Sequence, residues 1–325
     1  MVIPILLFVV GLVLLIKGGD WFVDGAGGIA YRFHIPEVLI GATVVSIGTT
    51  LPEVMVSATS ALSGHGEMAY GNAIGSIICN TALIAALTVA LRPSPVSRSA
   101  IKMPILFFFA AAVFYAVVAY AFGEFTRPVG IVLLLLFFAY MTVTVLAALR
   151  ERTPDTPAPT VEAAAEDLSP SPLWKDIVFL VIGAALIAVG ADLLVDNGTL
   201  IAEALGVPEA VIALTFVALG TSLPELVTAV TALAKGHGAL SLGNVIGANL
   251  FNLVLVSGVA TLLSPFGVPG TGEGINTSLV IDIPVMLFVM AFLCIPALLR
   301  GKLSRWQGIA LLGVYAAFCT LQFVL

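Results

Sequence analysis

Gly48-Thr49-Thr50-Leu51-Pro52-Glu53 recurs 172 residues later as Gly220-Thr221-Ser222-Leu223-Pro224-Glu225. The agreement spreads outward from that core. Pro36-Glu37 returns as Pro208-Glu209, Gly64-His65-Gly66 as Gly236-His237-Gly238, Gly71-Asn72 as Gly243-Asn244, and Asn80 as Asn252. Residues 36–80 align with 208–252 without a gap, and 19 of 45 positions are identical. Asp20 and Asp24 have counterparts in Asp192 and Asp196. Apolar segments can match through composition alone; shared Pro, Glu, Asn, Gly and His cannot, so the chain contains an internal repeat.

The setting of the repeat is apolar. Of 325 residues, 60% are hydrophobic and 10% charged, with a mean hydropathy of +1.14. Soluble domains carry roughly 45–50% apolar and about 25% charged residues. This composition excludes a soluble globular protein, a disordered chain and a nucleic-acid binder, which needs a basic face. Runs of about 20 apolar residues span a bilayer as helices. Ten such runs occur, at 2–19, 36–62, 68–91, 103–122, 128–149, 174–197, 208–234, 239–263, 277–299 and 305–324. The first lacks a basic leader and a small-residue cleavage site and runs on into Lys17–Ala30, so it is read as an uncleaved span.

The expected fold is therefore an all-α integral membrane protein of ten helices. Its units are 1–149, a cytoplasmic Pro/Ala-rich linker at 150–173, and 174–325; the repeated segments are 36–91 and 208–263. Five spans per half means that the second half enters the membrane inverted, the arrangement of secondary transporters with a site near the midplane. Orientation follows from the basic residues. Twelve of the thirteen Lys and Arg fall in or beside odd-numbered loops, and only Arg127 lies in an even-numbered one. Both termini are thus expected on the extracytoplasmic side of the plasma (inner) membrane.

Glu53 and Glu225 lie deep in the second and seventh spans. A charged side chain at that depth costs about 2.5–3.5 kcal/mol even on the gentler scales, which marks it as a functional candidate. The proline before each glutamate removes the donor of a carbonyl four residues back, at Gly48 and Gly220. Spans 2 and 7 are expected to unwind near Ser46–Thr50 and Ala218–Ser222, with freed carbonyls facing a cation. In the third span Asn72, Ser76 and Asn80 share one helix face; the counterparts in the eighth are Asn244, Ala248 and Asn252. Asn72 and Asn244 either bind helices together or ligate.

The converging donors are all oxygen: two carboxylates, four hydroxyls at Thr49, Thr50, Thr221 and Ser222, then Ser76, Asn80, Asn252 and main-chain carbonyls. Calcium takes 6–8 oxygen ligands in flexible geometry, whereas softer metals prefer sulfur or imidazole. Two carboxylates match one Ca²⁺ or a few Na⁺ competing for the same cage. Cys79 reads as an ordinary buried residue. Inversion places His65 and His237 on opposite membrane faces, so they cannot share a metal.

The paired Gly-Thr-Thr/Ser-Leu-Pro-Glu and Gly-Asn-x-Ile-Gly stretches resemble the alpha repeats of the sodium/calcium exchanger family, in its compact prokaryotic form. The resemblance implies a central site built from spans 2, 3, 7 and 8. Glu53 and Glu225 would be the main calcium ligands, helped by Thr49 and Thr221. Thr50, Ser222, Ser76, Asn80 and Asn252 would help to hold sodium, and Ser46 and Ala218 would offer carbonyls. It also implies that spans 1 and 6 slide across the rest. Three positions depart from the family pattern: Ala248 replaces a usual Ser, Ile77 a frequent Asn, and Asn252 an Asp of some relatives. The hydroxyl missing at Ala248 weakens one sodium position.

The expected function is secondary Ca²⁺ antiport against Na⁺ by alternating access, with H⁺/Ca²⁺ exchange through the same glutamates as the alternative. The expected partners are Ca²⁺ and Na⁺ or H⁺ with the lipid bilayer, and no nucleic acid or cofactor. No nucleophile or metal-binding His pair accompanies the glutamates, which argues against an enzyme. Asp20, Asp24, Asp192 and Asp196 either border the ion pathways on opposite sides or cap helix ends and meet Lys17 or Arg32, and the second reading is the expectation.

Overall fold

The computed structural model describes residues 2–33, 35–93, 95–150, 172–205, 220–269 and 276–324. Ala218, the first half of the seventh expected span and linker residues 151–171 lie outside them. The described residues are almost wholly helical: α1 (Val2–Phe33), α2 (Glu37–Leu62), α3 (Gly66–Leu91), α4 (Arg98–Phe122), α5 (Arg127–Arg150), α6 (Leu173–Ala204), α7 (Leu223–Ala234), α8 (Gly238–Leu263), α9 (Ser278–Arg300) and α10 (Arg305–Val324). Among them, eight are long and apolar enough to cross a membrane; α7, with 12 residues, is shorter. The 20-residue α10 lies at the tenth expected span.

α1 and α6 are each 32 residues long, well past the expected 2–19 and 174–197. The apolar runs end at Gly19 and Asn197, but nothing in the sequence breaks the helix there. The two pack against each other along glycines. A Cβ at Gly11 would stand 2.9 Å from the Gly190 carbonyl, and one at Gly18 2.9 Å from the Gly183 carbonyl. The pairing falls in residue number on α6 as it rises on α1, so the helices run antiparallel. Glycine lets the backbones approach as in small-residue membrane helix seams.

The helices differ sharply in how much they are covered. In the most apolar window of α8, 83% of residues are buried, and in α3 72%, against 22% in α1 and in α6. α3 and α8 are therefore the core posts, while α1 and α6 lie on the flank with Val2, Ile5, Leu6, Val13, Val181 and Val189 outward. The loops are tied across helices: β1 (Glu124–Phe125) pairs antiparallel with β2 (Phe266–Gly267), and Pro95 bridges to Lys302.

Candidate functional site

The centre is made by α2, α3, α7 and α8, packed crosswise between the halves. The stretch of α3 from Asn80 packs on α7, and the stretch of α8 from Asn252 packs on α2. α2 and α8 meet closely because a Cβ on Gly243 would fall 2.2 Å from the Val38 carbonyl, and one on Gly41 2.5 Å from the Leu240 carbonyl.

Three of these helices contain a widened π turn, at Gly41–Val45 in α2, Asn80–Ala85 in α3 and Asn252–Val256 in α8. Such insertions rotate the following face and frequently mark functional sites. The last two begin at counterpart asparagines, 172 residues apart. Side chains serve the displaced carbonyls: Ser46 Oγ donates to Gly41 O (2.7 Å), Tyr140 Oη to Ala42 O (2.9 Å) and Ser257 Oγ to Asn252 O (3.1 Å).

The expected unwinding of α2 is corrected here. Ser46–Leu62 is a continuous α-helix with Pro52 inside it, and the departure from α geometry lies just before it, at Gly41–Val45. In the second half Gly220–Ser222 form a turn, and α7 begins at Leu223 with Pro224 in its first turn. A proline there loses no helical hydrogen bond. The Gly220 carbonyl, expected to be free, accepts the Leu223 N–H at 3.2 Å.

The side chains singled out from the sequence are almost all inside. Ser46, Thr49, Thr50, Glu53, Ser76, Asn80, Ser222, Glu225 and Asn252 are buried, and Thr221 is half-buried. A small cleft is lined by Thr49 and Pro52 of α2, Pro224 of α7, Phe22 of α1 and Ala184 of α6. It brings the two Pro-Glu steps side by side, and the two carboxylates lie within electrostatic reach of each other.

Both carboxylate oxygens of Glu53 and of Glu225, the hydroxyls of Thr50 and Ser222, and both amide atoms of Asn80 and Asn252 are buried without a hydrogen-bond partner in the protein. Buried polar groups are normally paired, and these six residues form three counterpart pairs. A concentration of unpaired oxygen donors is the chemistry of a dehydrated cation site. Thr49 and Thr221, by contrast, are engaged: Thr49 Oγ1 donates to Asn244 Oδ1 (3.3 Å) and Thr221 Oγ1 to Asn72 Oδ1 (3.2 Å).

The peripheral acids differ from expectation. Asp24 pairs with Lys235 at 2.7 Å and Asp20 with the same lysine at 3.5 Å, rather than with Lys17 or Arg32. Arg32 instead meets Asp176 at 3.6 Å. These partners are remote in sequence and left no local signal. Sequence reading also missed Asn249, whose Nδ2 donates to Thr81 Oγ1 at 2.7 Å deep between α3 and α8.

A model of the sodium/calcium exchanger protein family matches residues 3–146 and 175–324. The chain belongs to the sodium/calcium exchanger family. It is 35% identical to the putative antiporter CaxA of Alkalimonas amylolytica, covering 100% of this chain and 99% of that one. It is 31% identical to the sodium/calcium exchanger MaX1 of Methanosarcina acetivorans, covering 98% of each. Among solved structures it resembles the sodium-calcium exchanger NCX_Mj soaked with 2.5 mM Na⁺ and 10 mM Sr²⁺, at a TM-score of 0.81 and 33% identity over 97% of both chains. As a compact member of this exchanger family, the chain is a multi-pass membrane cation antiporter, not an enzyme.

Proposed function

We propose that this exchanger moves Ca²⁺ against Na⁺ by alternating access through one central site, with Glu53 and Glu225 as the principal ligands. The observation that carries the reading is the set of six buried residues, Glu53, Thr50, Asn80, Glu225, Ser222 and Asn252, whose oxygens lack protein partners. Thr49, Thr221, Ser76 and the Ser46 carbonyl complete the cage among the described residues. Two carboxylates balance one Ca²⁺, and Na⁺ competing for the same oxygens couples the two fluxes without covalent chemistry.

In this reading the halves are an inverted repeat. Its support is the exchange of partners across the centre: Gly11 lies on Gly190 and Gly18 on Gly183, where Gly11 corresponds to Gly183 and Gly18 to Gly190. The turns that follow α2 and α7 also match, with Gly64 at φ +83° and Gly236 at φ +87°. The turn at Gly220–Ser222, just ahead of α7 and its Pro224, supports the expected interruption of the seventh span. The termini lie outside the plasma membrane and the linker at 150–173 inside, as the basic residues require.

The test is ⁴⁵Ca²⁺ uptake into proteoliposomes driven by an outward Na⁺ gradient or, separately, by a pH gradient. Uptake under the Na⁺ gradient is expected, and its loss in Glu53→Gln and in Glu225→Gln. Uptake under the pH gradient alone would replace sodium coupling with proton coupling. Near-normal exchange in either variant would remove the central site.

A further inference from the structure

Asn72 and Asn244 stand behind the threonine hydroxyls. Thr221 Oγ1 donates to Asn72 Oδ1 at 3.2 Å, and Thr49 Oγ1 donates to Asn244 Oδ1 at 3.3 Å. Thr49 and Thr221 are counterparts, as are Asn72 and Asn244. Each bond therefore crosses from one half of the chain to the other, and the two bonds are images of each other.

A hydroxyl has one proton and two lone pairs. Left free to rotate beside carboxylates, it aims the proton at them and spends a carboxylate lone pair that a cation needs. With the proton committed to an amide oxygen, its own lone pairs remain for the cation. The acceptor must then be fixed. Asn72 Nδ2 donates to Ser57 Oγ at 2.8 Å and to the Glu53 carbonyl at 3.2 Å, which turns Oδ1 toward Thr221. Asn244 is fully buried and its Oδ1 also faces Ser46 Oγ at 3.4 Å, but its Nδ2 has no partner in the protein, so packing alone orients this amide. Thr49 Oγ1 also lies 3.5 Å from the Ser46 carbonyl, a longer contact than the 3.3 Å to Asn244.

We propose that Asn72 and Asn244 are positioning residues that take the hydroxyl protons of Thr221 and Thr49, so that both hydroxyls meet the transported cation lone pair first. The proposal rests on the reading above that these threonines ligate the cation. Helix adhesion alone would place an amide anywhere along the α3–α7 and α2–α8 seams. It does not require the oxygen of each amide to meet the counterpart hydroxyl of the opposite half.

If the asparagine acts through the threonine, removing both costs no more than removing one. Partners behind metal ligands typically contribute roughly 10–100-fold in affinity. In ⁴⁵Ca²⁺ uptake titrations, Asn72→Leu and Thr221→Val are each expected to raise the Ca²⁺ KM roughly tenfold, with the maximal rate much less affected. The double variant is expected to match the weaker single one. A double variant whose KM rises by the product of the single effects, or an Asn72→Leu protein with wild-type KM, overturns the proposal. Asn244→Leu with Thr49→Val repeats the cycle if the first pair fails to fold. Glu53→Gln on the same vesicles separates the two levels. If exchange survives that change, the ligand reading itself falls; if it is lost while Asn72→Leu keeps a wild-type KM, only the positioning role falls.

Discussion

Ala248 and Ser76 occupy counterpart positions one helical turn before Asn252 and Asn80, and both are buried. A methyl group stands where the first half offers a hydroxyl, so the proposed oxygen cage would have one donor fewer in the second half. Ala248→Ser restores that donor on a face already shaped for a small side chain. The expected outcome is that less Na⁺ half-inhibits Ca²⁺ uptake, measured by titrating external Na⁺ at fixed Ca²⁺; an unchanged titration would show that position 248 does not reach the ions. The buried polar residues of the centre were legible in the sequence because a carboxylate or amide in an apolar span is costly, and here each recurs at a fixed offset. Their hydrogen-bond states were not legible. Nothing in the sequence distinguishes Thr50, which is unpartnered, from Thr49, which is engaged by an asparagine of α8.

At the level of elements, the seam between α1 and α6 depends on missing side chains. A Cβ at Gly18 would lie 2.8 Å from the Ile187 amide nitrogen and 2.9 Å from the Gly183 carbonyl, both backbone atoms that cannot turn aside. Gly18→Val forces the helices apart, and overpacking of this kind costs about 1–3 kcal/mol. Thermal unfolding in detergent should show the loss, whereas Gly313→Ala, where a Cβ meets no described atom within 4 Å, should unfold close to wild type. Most described helices lay where the apolar runs put them, although α1 and α6 run past theirs, but the π turns left no such mark. One inserted residue changes the phase of a helix without changing its composition, and whether it persists depends on partners such as Tyr140, 98 residues from Ala42.

For the molecule as a whole, the ion pairs gather beside the turn that joins α7 to α8. Lys235 holds Asp24, and His237 Nδ1 meets Glu37 Oε1 at 2.7 Å. The Glu37 partner raises the His237 pKa above its ordinary value, against the opposing effect of burial. The protonated imidazole is then favoured by folding. Its stabilisation is fully present below the unfolded value of about 6.5 and is lost as pH rises through the higher folded value. Thermal stability is therefore expected to decline as pH rises above about 6.5, and His237→Gln should flatten that part of the profile. An identical slope in the variant would assign the pH dependence to another group.

The sequence by itself determined the class of the protein, most of its apolar helices, its internal repeat and the oxygen-rich residues buried at its centre. Each of these follows from the cost of polar groups in lipid, which is written residue by residue. Only the tertiary structure decided where α2 departs from α geometry, which helices form the covered core, and which acids find Lys235 and Arg32. It also paired each threonine with an asparagine of the opposite half. These outcomes depend on which backbone and side-chain groups meet across helices far apart in the chain, and a local pattern carries no record of that.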